Sequence, residues 1–452
     1  MTQAVARKPL DAALPAASMS LRGRALRGTA WTIGGFGAQQ MLRLASNLVL
    51  TRLLFPEAFG LMALVAVFMQ GLQMFSDVGI GPSIIQDKRG DDPRFLHTAF
   101  TIQAIRGVCL MLIGCIGALP FAIFYGEAEL RWLVLIAAST ALIAGFNSTK
   151  LFTANRHLWL GRITIIDLAA QALGLVVMVA WALKSPSVWA LAVGGVVASA
   201  AKMIASHVMI PGPGDRLHWD ADAARSLFRF GRWIFLSTIL TFAAMQLDRL
   251  IMGKLLDVRT LGIYSIALML AISARQVVKQ VGQRVLFPAI ARMAESGSKR
   301  LSKGVFKARL SIVLPSTLGL LVLIVFGQPI VALLFDDRYV EAGWMLQILA
   351  AGVVASVVCS TYGAVLLARG DSYVVMLLLA TQVALLATAS VVGFAMYGVW
   401  GFVVGVALVE WLNYPVAAWV LWRRGLWQAS IDLPVLGVAA VVTVLATGGV
   451  VV

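Results

Sequence analysis

The amino-acid sequence predicts an all-α polytopic membrane protein built from two similar halves. Of its 452 residues, 60% are hydrophobic and only 13% are charged, and the mean hydropathy is +0.88. These values lie far outside the range of soluble globular proteins. Apolar runs that are long enough to cross a bilayer as helices, which takes about 20 residues each, recur along the chain. One pair of these runs occurs twice, which indicates an internal repeat.

The repeat is clearest in the stretch 31–86, where two apolar runs flank a Pro-containing turn. A shift of 202 residues, without a gap, places Gly60 on Gly262. The same shift places Arg52 on Lys254. Coincidence is the alternative explanation, because Leu and Gly are common in membrane helices. The shared order of turn, small residue and terminal cation favours a true repeat, which is typical of transporters.

Thirteen transmembrane helices are predicted from the apolar runs and the turns between them. The first six and the next six form two lobes, and the thirteenth helix is an addition. The predicted helices span residues 29–52, 57–78, 98–124, 130–153, 160–183, 187–210, 230–253, 261–288, 309–334, 344–367, 373–396, 399–421 and 433–452.

The basic residues indicate which loops face the cytoplasm. The formal net charge is +16, which in a soluble protein would suggest a nucleic-acid partner. With the N-terminus in the cytoplasm, however, most of the 37 Lys and Arg fall in loops that are then cytoplasmic, including the loop that carries Lys299 and Arg309. The outer loops carry few cations and hold the acidic turns. This positive-inside pattern predicts a multi-pass membrane protein that has no nucleic-acid partner.

The predicted organisation has five segments. The connector between the lobes begins with a Pro/Gly-rich run and contains an amphipathic stretch, which predicts a short helix on the membrane surface that is either a hinge or a simple connector. The segments are a basic cytoplasmic tail at 1–28, an N-lobe of six helices at 29–210, a cytoplasmic inter-lobe linker at 211–229, a C-lobe of six helices at 230–422, and a cytoplasmic loop with the extra helix at 423–452.

Five cations within the predicted helices are the candidate substrate-binding residues. A charge at the bilayer centre costs at least about 2.5–3.5 kcal/mol, so these residues are expected to face a cavity or to pair with buried carboxylates. The spans contain fewer carboxylates than cations. This count favours a cationic cavity between the lobes, which receives an anionic headgroup, for Arg43, Arg275 and Lys279. Both explanations stay open for Arg106 and Arg249.

Two acidic residues are candidates for proton or cation coupling. Glu410 lies in the middle of the twelfth predicted helix, where it can take up a proton or a cation or serve as a hydrogen-bonded structural acid. Asp248 directly precedes Arg249, but adjacent residues point about 100 degrees apart on a helix, so the two need not form a pair. Asp77, at the end of the second helix, is expected to cap or pair locally.

The sequence contains no motif of an enzyme, a cofactor site or a metal site. The four His residues are dispersed, and no two have ligand spacing on one helix. The glycines of the first helix lack the following Lys and Ser/Thr of a phosphate-binding loop. The sequence therefore predicts a protein that is not an enzyme and that needs no cofactor.

Five segments carry a family resemblance: TRLLFPEAFGLMALV, FSDVGIGPSIIQ, FYGEAEL, LDRLIMGKLLDVRTLGIYSIA and RVLFPAIAR. Together they resemble the polysaccharide-transport branch, with its Wzx and WzxC-like exporters, of the multidrug/oligosaccharidyl-lipid/polysaccharide (MOP) flippase superfamily. The resemblance covers residues from about 28 to 420, which is essentially the whole transport core. Asp248 occupies the usual acidic position of the family, whereas Arg249 beside it is less usual.

The resemblance implies a MATE-like fold, in which two six-helix bundles form a V around a central cavity. It implies a flippase that moves undecaprenyl-diphosphate-linked oligosaccharide from the inner to the outer leaflet of the bacterial inner membrane by alternating access. The product would feed O-antigen, capsule or exopolysaccharide assembly. The implied partners are the lipid-linked substrate, membrane lipids, a coupling proton or sodium ion, and a downstream polymerase.

Two other functions fit a polytopic membrane protein less well. A MATE-like multidrug or cation antiporter would favour acidic residues deep in its cavity, whereas cations prevail here. A membrane glycosyltransferase or polymerase would need a sizeable outer loop or a cytoplasmic nucleotide-sugar domain, and the predicted outer loops are short.

Overall fold

The protein is an all-helical membrane protein in its computed structural model, which describes residues 21–77, 79–231, 235–281, 298–368 and 371–448. No strand occurs in these ranges. Eight of the described helices are long and apolar enough to cross a membrane, or nine if one bent pair counts as a single span. The predicted fold class of an all-α polytopic membrane protein is therefore confirmed.

The described helices overlap all thirteen predicted spans, and three of them are short. The helices are α1 (Leu21–Leu53), α2 (Pro56–Phe75), α3 (Ile80–Gln86), α4 (Pro93–Tyr125), α5 (Leu130–Gly145), α6 (Lys150–Arg156), α7 (Leu160–Lys184), α8 (Trp189–Val208), α9 (Ala221–Gly231), α10 (Phe235–Leu255), α11 (Val258–Val281), α12 (Ser298–Leu334), α13 (Ala342–Ala368), α14 (Ser372–Arg423) and α15 (Ala429–Thr447). The three short helices are α3, α6 and α9. A short 3-10 turn, Asp337–Tyr339, precedes α13.

One predicted span, 130–153, is broken into α5 and α6, which meet at an angle of 61°. The break is held by Asp215 of the linker, whose side chain is only 2% exposed. Its carboxylate accepts hydrogen bonds from the hydroxyls of Ser148 and Thr149, both at 2.5 Å, and from the Thr149 backbone N–H at 3.1 Å. The Asp215 carboxylate thus accepts the hydrogen bond of a backbone N–H that would bind a backbone carbonyl in a continuous helix.

The helix α14 consists of two limbs, as the sequence predicts. The break lies at Tyr397 and at Gly398, where φ is +60° and ψ is −139°. This conformation is essentially restricted to glycine because a Cβ atom would clash with the backbone. The limbs therefore correspond to the eleventh and twelfth predicted helices.

The described residues group into two compact units. Unit 1 contains those up to Leu50, those of Phe75–Ile123 and those of Ala128–Phe235. Unit 2 contains Thr51–Met74, Phe124–Glu127 and the described residues from Leu236 onward. Helix α2 groups with the C-terminal helices in unit 2. The lobe boundaries expected from the sequence, at 29–210 and 230–422, remain a prediction.

Within unit 1, the amphipathic helix α9 packs against α3 and α4 with part of its apolar face, and its expected position on the membrane surface stays a prediction. Ala223, Ala224 and Leu227 are buried in one core with Ile84 of α3 and Phe95 of α4. The linker before α9 is held along α4 by backbone hydrogen bonds to side chains of that helix. Three apolar side chains of α9 are therefore buried against the protein.

Within unit 2, the thirteenth predicted helix is an integral part of the helix packing. This helix, α15, packs against α12 and α13. Arg309 of α12 forms an ion pair of 2.8 Å with Asp432 of α15, and both side chains are completely buried. The assignment of Arg309 to the loop cations was therefore wrong, because its guanidinium has a buried counter-ion that lies 123 residues further along the chain.

Candidate functional site

Two of the five candidate cations lie in unit 1. Arg43 is exposed on α1, whereas Arg106 is half-buried on α4. Arg106 Nε donates a hydrogen bond of 2.9 Å to Ser76 Oγ. Next to this serine, Asp77 Oδ1 accepts a hydrogen bond of 2.9 Å from the backbone N–H of Gly79, so the expectation that Asp77 makes a local contact is confirmed. Arg106 thus has a neutral hydrogen-bond partner just after the end of α2, and it interacts electrostatically with Asp77.

Arg249 lies in unit 2 within a chain of amide side chains. Its Nη1 donates to Gln246 Oε1 at 2.7 Å, and Gln246 Nε2 donates to Gln70 Oε1 at 2.6 Å. The Nε atom of Arg249 is buried and has no hydrogen-bond partner among the described residues. The guanidinium of Arg249 therefore retains donor capacity, although its charge is not neutralised by a direct carboxylate contact in the described part of the chain.

Asp248 does not pair with its neighbour Arg249. Its side chain is 6% exposed, and Oδ2 accepts a short hydrogen bond of 2.6 Å from the hydroxyl of Tyr264 on α11. The helical geometry expected from the sequence is confirmed, since the two adjacent side chains bind different partners. The phenol donor partly satisfies a carboxylate that would otherwise be costly to bury.

Arg275 and Glu410 are brought together by a serine. Arg275 Nη1 donates to Ser356 Oγ at 3.1 Å, and Ser356 Oγ donates in turn to Glu410 Oε1 at 3.1 Å. Gln382 Nε2 donates to the same carboxylate oxygen at 2.8 Å. The four side chains come from α11, α13 and the two limbs of α14, so they join four helix segments in the middle of unit 2.

Sequence reasoning selected the two charged members of this network and missed the two neutral ones. Ser356 is 4% exposed and Gln382 is half-buried, and both lie inside long apolar runs. Hydroxyl and amide side chains in such runs are the signal that would have found them, because polar groups in a membrane helix need partners. Lys279 lies in α11 one turn after Arg275, but its side chain is outside the described residues.

Two other carboxylates of the apolar helices form ion pairs. Asp167 of α7 forms an ion pair of 2.7 Å with Lys202 of α8. Asp432 of α15 forms an ion pair with Arg309 of α12. No cluster of three or more His, Cys, Asp or Glu with the geometry of a metal site occurs among the residues that the structure describes. The described helices therefore hold ion pairs, cations with neutral hydrogen-bond partners such as Arg249 and Arg275, and hydrogen-bonded acids such as Asp248 and Glu410.

The amino-acid sequence is similar to those of named polysaccharide proteins. The chain is 24% identical over 420 residues to the lipopolysaccharide biosynthesis protein WzxC of Escherichia coli K12, with 89% of this chain and 82% of that protein covered. It is 23% identical over 342 residues to the succinoglycan biosynthesis transport protein ExoT of Rhizobium meliloti, with 74% and 67% covered.

The fold is similar to those of solved transporters. A structure of the lipid II flippase MurJ superposes with a TM-score of 0.71 at 11% identity, over 91% of each chain. A multidrug resistance MATE family transporter of the MOP superfamily superposes with a TM-score of 0.65 at 14% identity, over 85% of this chain and 94% of that one. At such identities the likeness shows the fold alone. The expected similarity to the MATE fold is confirmed, whereas the arrangement of two bundles in a V around a central cavity stays a prediction.

The model of one protein family, described as "polysaccharide biosynthesis protein", matches residues 49–343. The match covers more than half of the chain and includes α2, α4, α10 and α11, which carry four of the five resembling segments at least in part. The resemblance noted in those segments is confirmed by this match. The chain belongs to the polysaccharide biosynthesis protein family.

Proposed function

We propose that the protein is a flippase that carries undecaprenyl-diphosphate-linked oligosaccharide repeat units from the inner to the outer leaflet of the bacterial inner membrane. Transport proceeds by alternating access between two lobes, and the product enters O-antigen, capsule or exopolysaccharide assembly. A diphosphate cannot cross about 30 Å of hydrocarbon unaided. A protein must therefore supply polar and cationic groups within the membrane.

The observation that carries this proposal is the position of Arg275. Its side chain lies on α11, inside the eighth membrane span predicted from the sequence (261–288), and no described carboxylate lies within the 4.0 Å distance of an ion pair. A cation kept in such a place needs an anion or water. A diphosphate supplies the anion, and the planar donor fork of Arg matches phosphate oxygens.

The other membrane cations complete the proposed diphosphate-binding set. Arg43, Arg106, Arg249 and Lys279 are assigned to it with Arg275. Asp248 and Glu410 are assigned to proton or sodium coupling. The names of WzxC, ExoT and MurJ support a lipid-linked sugar as the cargo and transport, not sugar transfer, as the activity. A polymerase would act on the product in the outer leaflet.

The first test measures the leaflet in which the diphosphate-linked oligosaccharide lies. In a strain that lacks the gene, an impermeant sugar-modifying enzyme is added from outside, and the modified fraction is compared with that of a complemented strain. We expect unmodified, inner-leaflet substrate without the protein and modified substrate with it. Normal modification in the deletion strain would contradict the proposed function.

The second test neutralises the proposed cations. The double substitution Arg275→Ala, Lys279→Ala should reduce export while the amount of inserted protein stays the same. Arg259→Ala is the matched control, because Arg259 is an exposed cation near the start of the same helix. Normal polysaccharide in the double variant would remove both residues from the mechanism.

A multidrug antiporter is the second candidate, favoured by the likeness to the MATE fold. It predicts efflux of cationic dyes from cells that produce the protein. Dye efflux from cells that produce the protein, together with unchanged polysaccharide export in the deletion strain, would favour the multidrug antiporter over the flippase.

A further inference from the structure

A neutral hydroxyl separates a cation from a carboxylate in the middle of unit 2. Ser356 accepts a hydrogen bond from Arg275 and donates one to Glu410, both at 3.1 Å. Because the Ser356 side chain is 4% exposed, this bridge is shielded from solvent. The hydroxyl thus links the guanidinium of Arg275 to the carboxylate of Glu410 without a direct ion pair between them.

We propose that Glu410 is an internal anion that holds Arg275 in the empty protein, and that the diphosphate of the substrate replaces it as the partner of Arg275 while Glu410 takes up a proton. This inference rests on the proposed function, because it assumes that a diphosphate binds Arg275. It goes further by stating what the substrate must displace and by naming the proton as the coupled ion at Glu410.

The proton uptake follows from electrostatics. Once Arg275 turns to the diphosphate, Glu410 loses the cation that favours its charged form and gains an anion nearby. A carboxylate within a membrane helix is then strongly disfavoured. One proton from water forms an O–H bond on the carboxylate, and no bond of the substrate breaks. Both hydrogen bonds that the described residues donate to Glu410 reach Oε1, which leaves Oε2 to carry the proton.

The other groups around Glu410 do not compete for this role. Gln382, on the first limb of α14, is neutral in all states. Cys359 lies on α13 one turn after Ser356 and is close enough to interact electrostatically with Glu410. Cys359 also interacts electrostatically with Arg309 and Asp432, which form an ion pair with each other, whereas Arg275 is the charged group that acts on Glu410. Arg275 is therefore the cation that the described structure offers to Glu410, with Lys279 one turn away on the same helix.

The consequence is that substrate binding depends on pH through Glu410. Where Glu410 is ionised in the empty protein, binding takes up one proton, and the affinity for a diphosphate rises by about tenfold per unit of pH decrease. Where Glu410 is already protonated, the affinity no longer changes through this group. The loaded protein carries a proton that the empty protein lacks, so the direction of proton movement is tied to that of the substrate.

The experiment uses the full chain in lipid nanodiscs and farnesyl diphosphate as the probe. The dissociation constant is measured by calorimetry from pH 5.5 to pH 8.5 in two buffers of different ionisation enthalpy, which gives the number of protons taken up. Glu410→Gln mimics the protonated acid, and Glu341→Gln is the matched control, since Glu341 is an exposed carboxylate of the same unit.

We expect wild type and Glu341→Gln to take up about one proton more per bound diphosphate than Glu410→Gln, in the pH range where Glu410 is ionised. Glu410→Gln should bind at all pH values as tightly as wild type does at low pH, apart from the titration of the probe itself. This result also shows that the variant is folded. Equal proton uptake by wild type and Glu410→Gln would overturn the inference, as would weaker binding by folded Glu410→Gln or no binding by wild type.

Failure of this inference can be distinguished from failure of the proposed function. If wild type restores outer-leaflet substrate in cells but Glu410→Gln shows unchanged proton uptake, the protein is a flippase that is not coupled through Glu410. If wild type fails in the leaflet assay, the proposed function itself is wrong.

Discussion

Gly60 of α2 and Gly262 of α11 pack against one another's helices in a reciprocal way. A side-chain carbon at Gly60 would collide with the carbonyl oxygen of Val258, and one at Gly262 would collide with that of Pro56. The shift of 202 residues that relates the two sequence halves maps Gly60 onto Gly262 and also Pro56 onto Val258. Residues that are equivalent in the repeat thus contact one another, as at a two-fold interface.

We expect Gly60→Ala and Gly262→Ala to lower the stability of the protein by similar amounts. The added methyl group forces two helix backbones apart, and overpacking of this kind typically costs about 1–3 kcal/mol. Thermal unfolding of the purified protein in detergent measures the effect. Gly34→Ala is the control, because the space beside Gly34 on α1 is open. Equal melting temperatures for Gly60→Ala and Gly34→Ala would contradict the close contact.

We expect Arg309→Leu and Asp432→Leu each to destabilise the protein strongly. Removal of one partner leaves an uncompensated buried charge, which costs about 3–5 kcal/mol. The double variant should be more stable than either single variant, because no charge is left unpaired. The amount of folded protein in membranes and its melting temperature measure this coupling. Additive losses in the double variant would show that the pair is not an energetic unit.

The loss of Asp215 should release the linker from unit 1. Asp215→Ala removes the acceptor of three hydrogen bonds from Ser148 and Thr149 and leaves buried donors unsatisfied, which costs about 1–3 kcal/mol for each such group. Limited proteolysis should then cut the linker between α8 and α9 faster. Asp222→Ala is the control, since that side chain is 82% exposed on α9. Unchanged cleavage of Asp215→Ala would show that other contacts suffice.

The substitution Gly398→Ala should strain the break between the two limbs of α14. A side chain at a φ of +60° and a ψ of −139° costs about 1–3 kcal/mol. The melting temperature should fall, whereas Gly437→Ala on α15, where the space around the glycine is open, should leave it equal or raise it. An unchanged melting temperature for Gly398→Ala would mean that the limbs adjust their angle without cost.

The sequence by itself determined that this protein lies in a membrane and which of its segments form helices. Its apolar composition requires a membrane, and the spacing of turns located a helix at each predicted span, including the break before Gly398. The cost of a charge in a bilayer singled out Arg275 and Glu410. These features depend on local sequence and on transfer free energies, which do not require knowledge of the packing.

The tertiary structure alone decided which side chains meet. Ser356 bridges Arg275 and Glu410 although the three residues are separated by 81 and 54 positions. Asp432 lies 123 positions from Arg309, and the two side chains form a buried ion pair. The cation that the sequence assigned to a loop and the helix that it treated as an addition therefore pack in one core. Such pairs depend on the rotation and depth of each helix in the bundle. Hydrophobicity constrains both only weakly, because every helix is apolar on most of its faces.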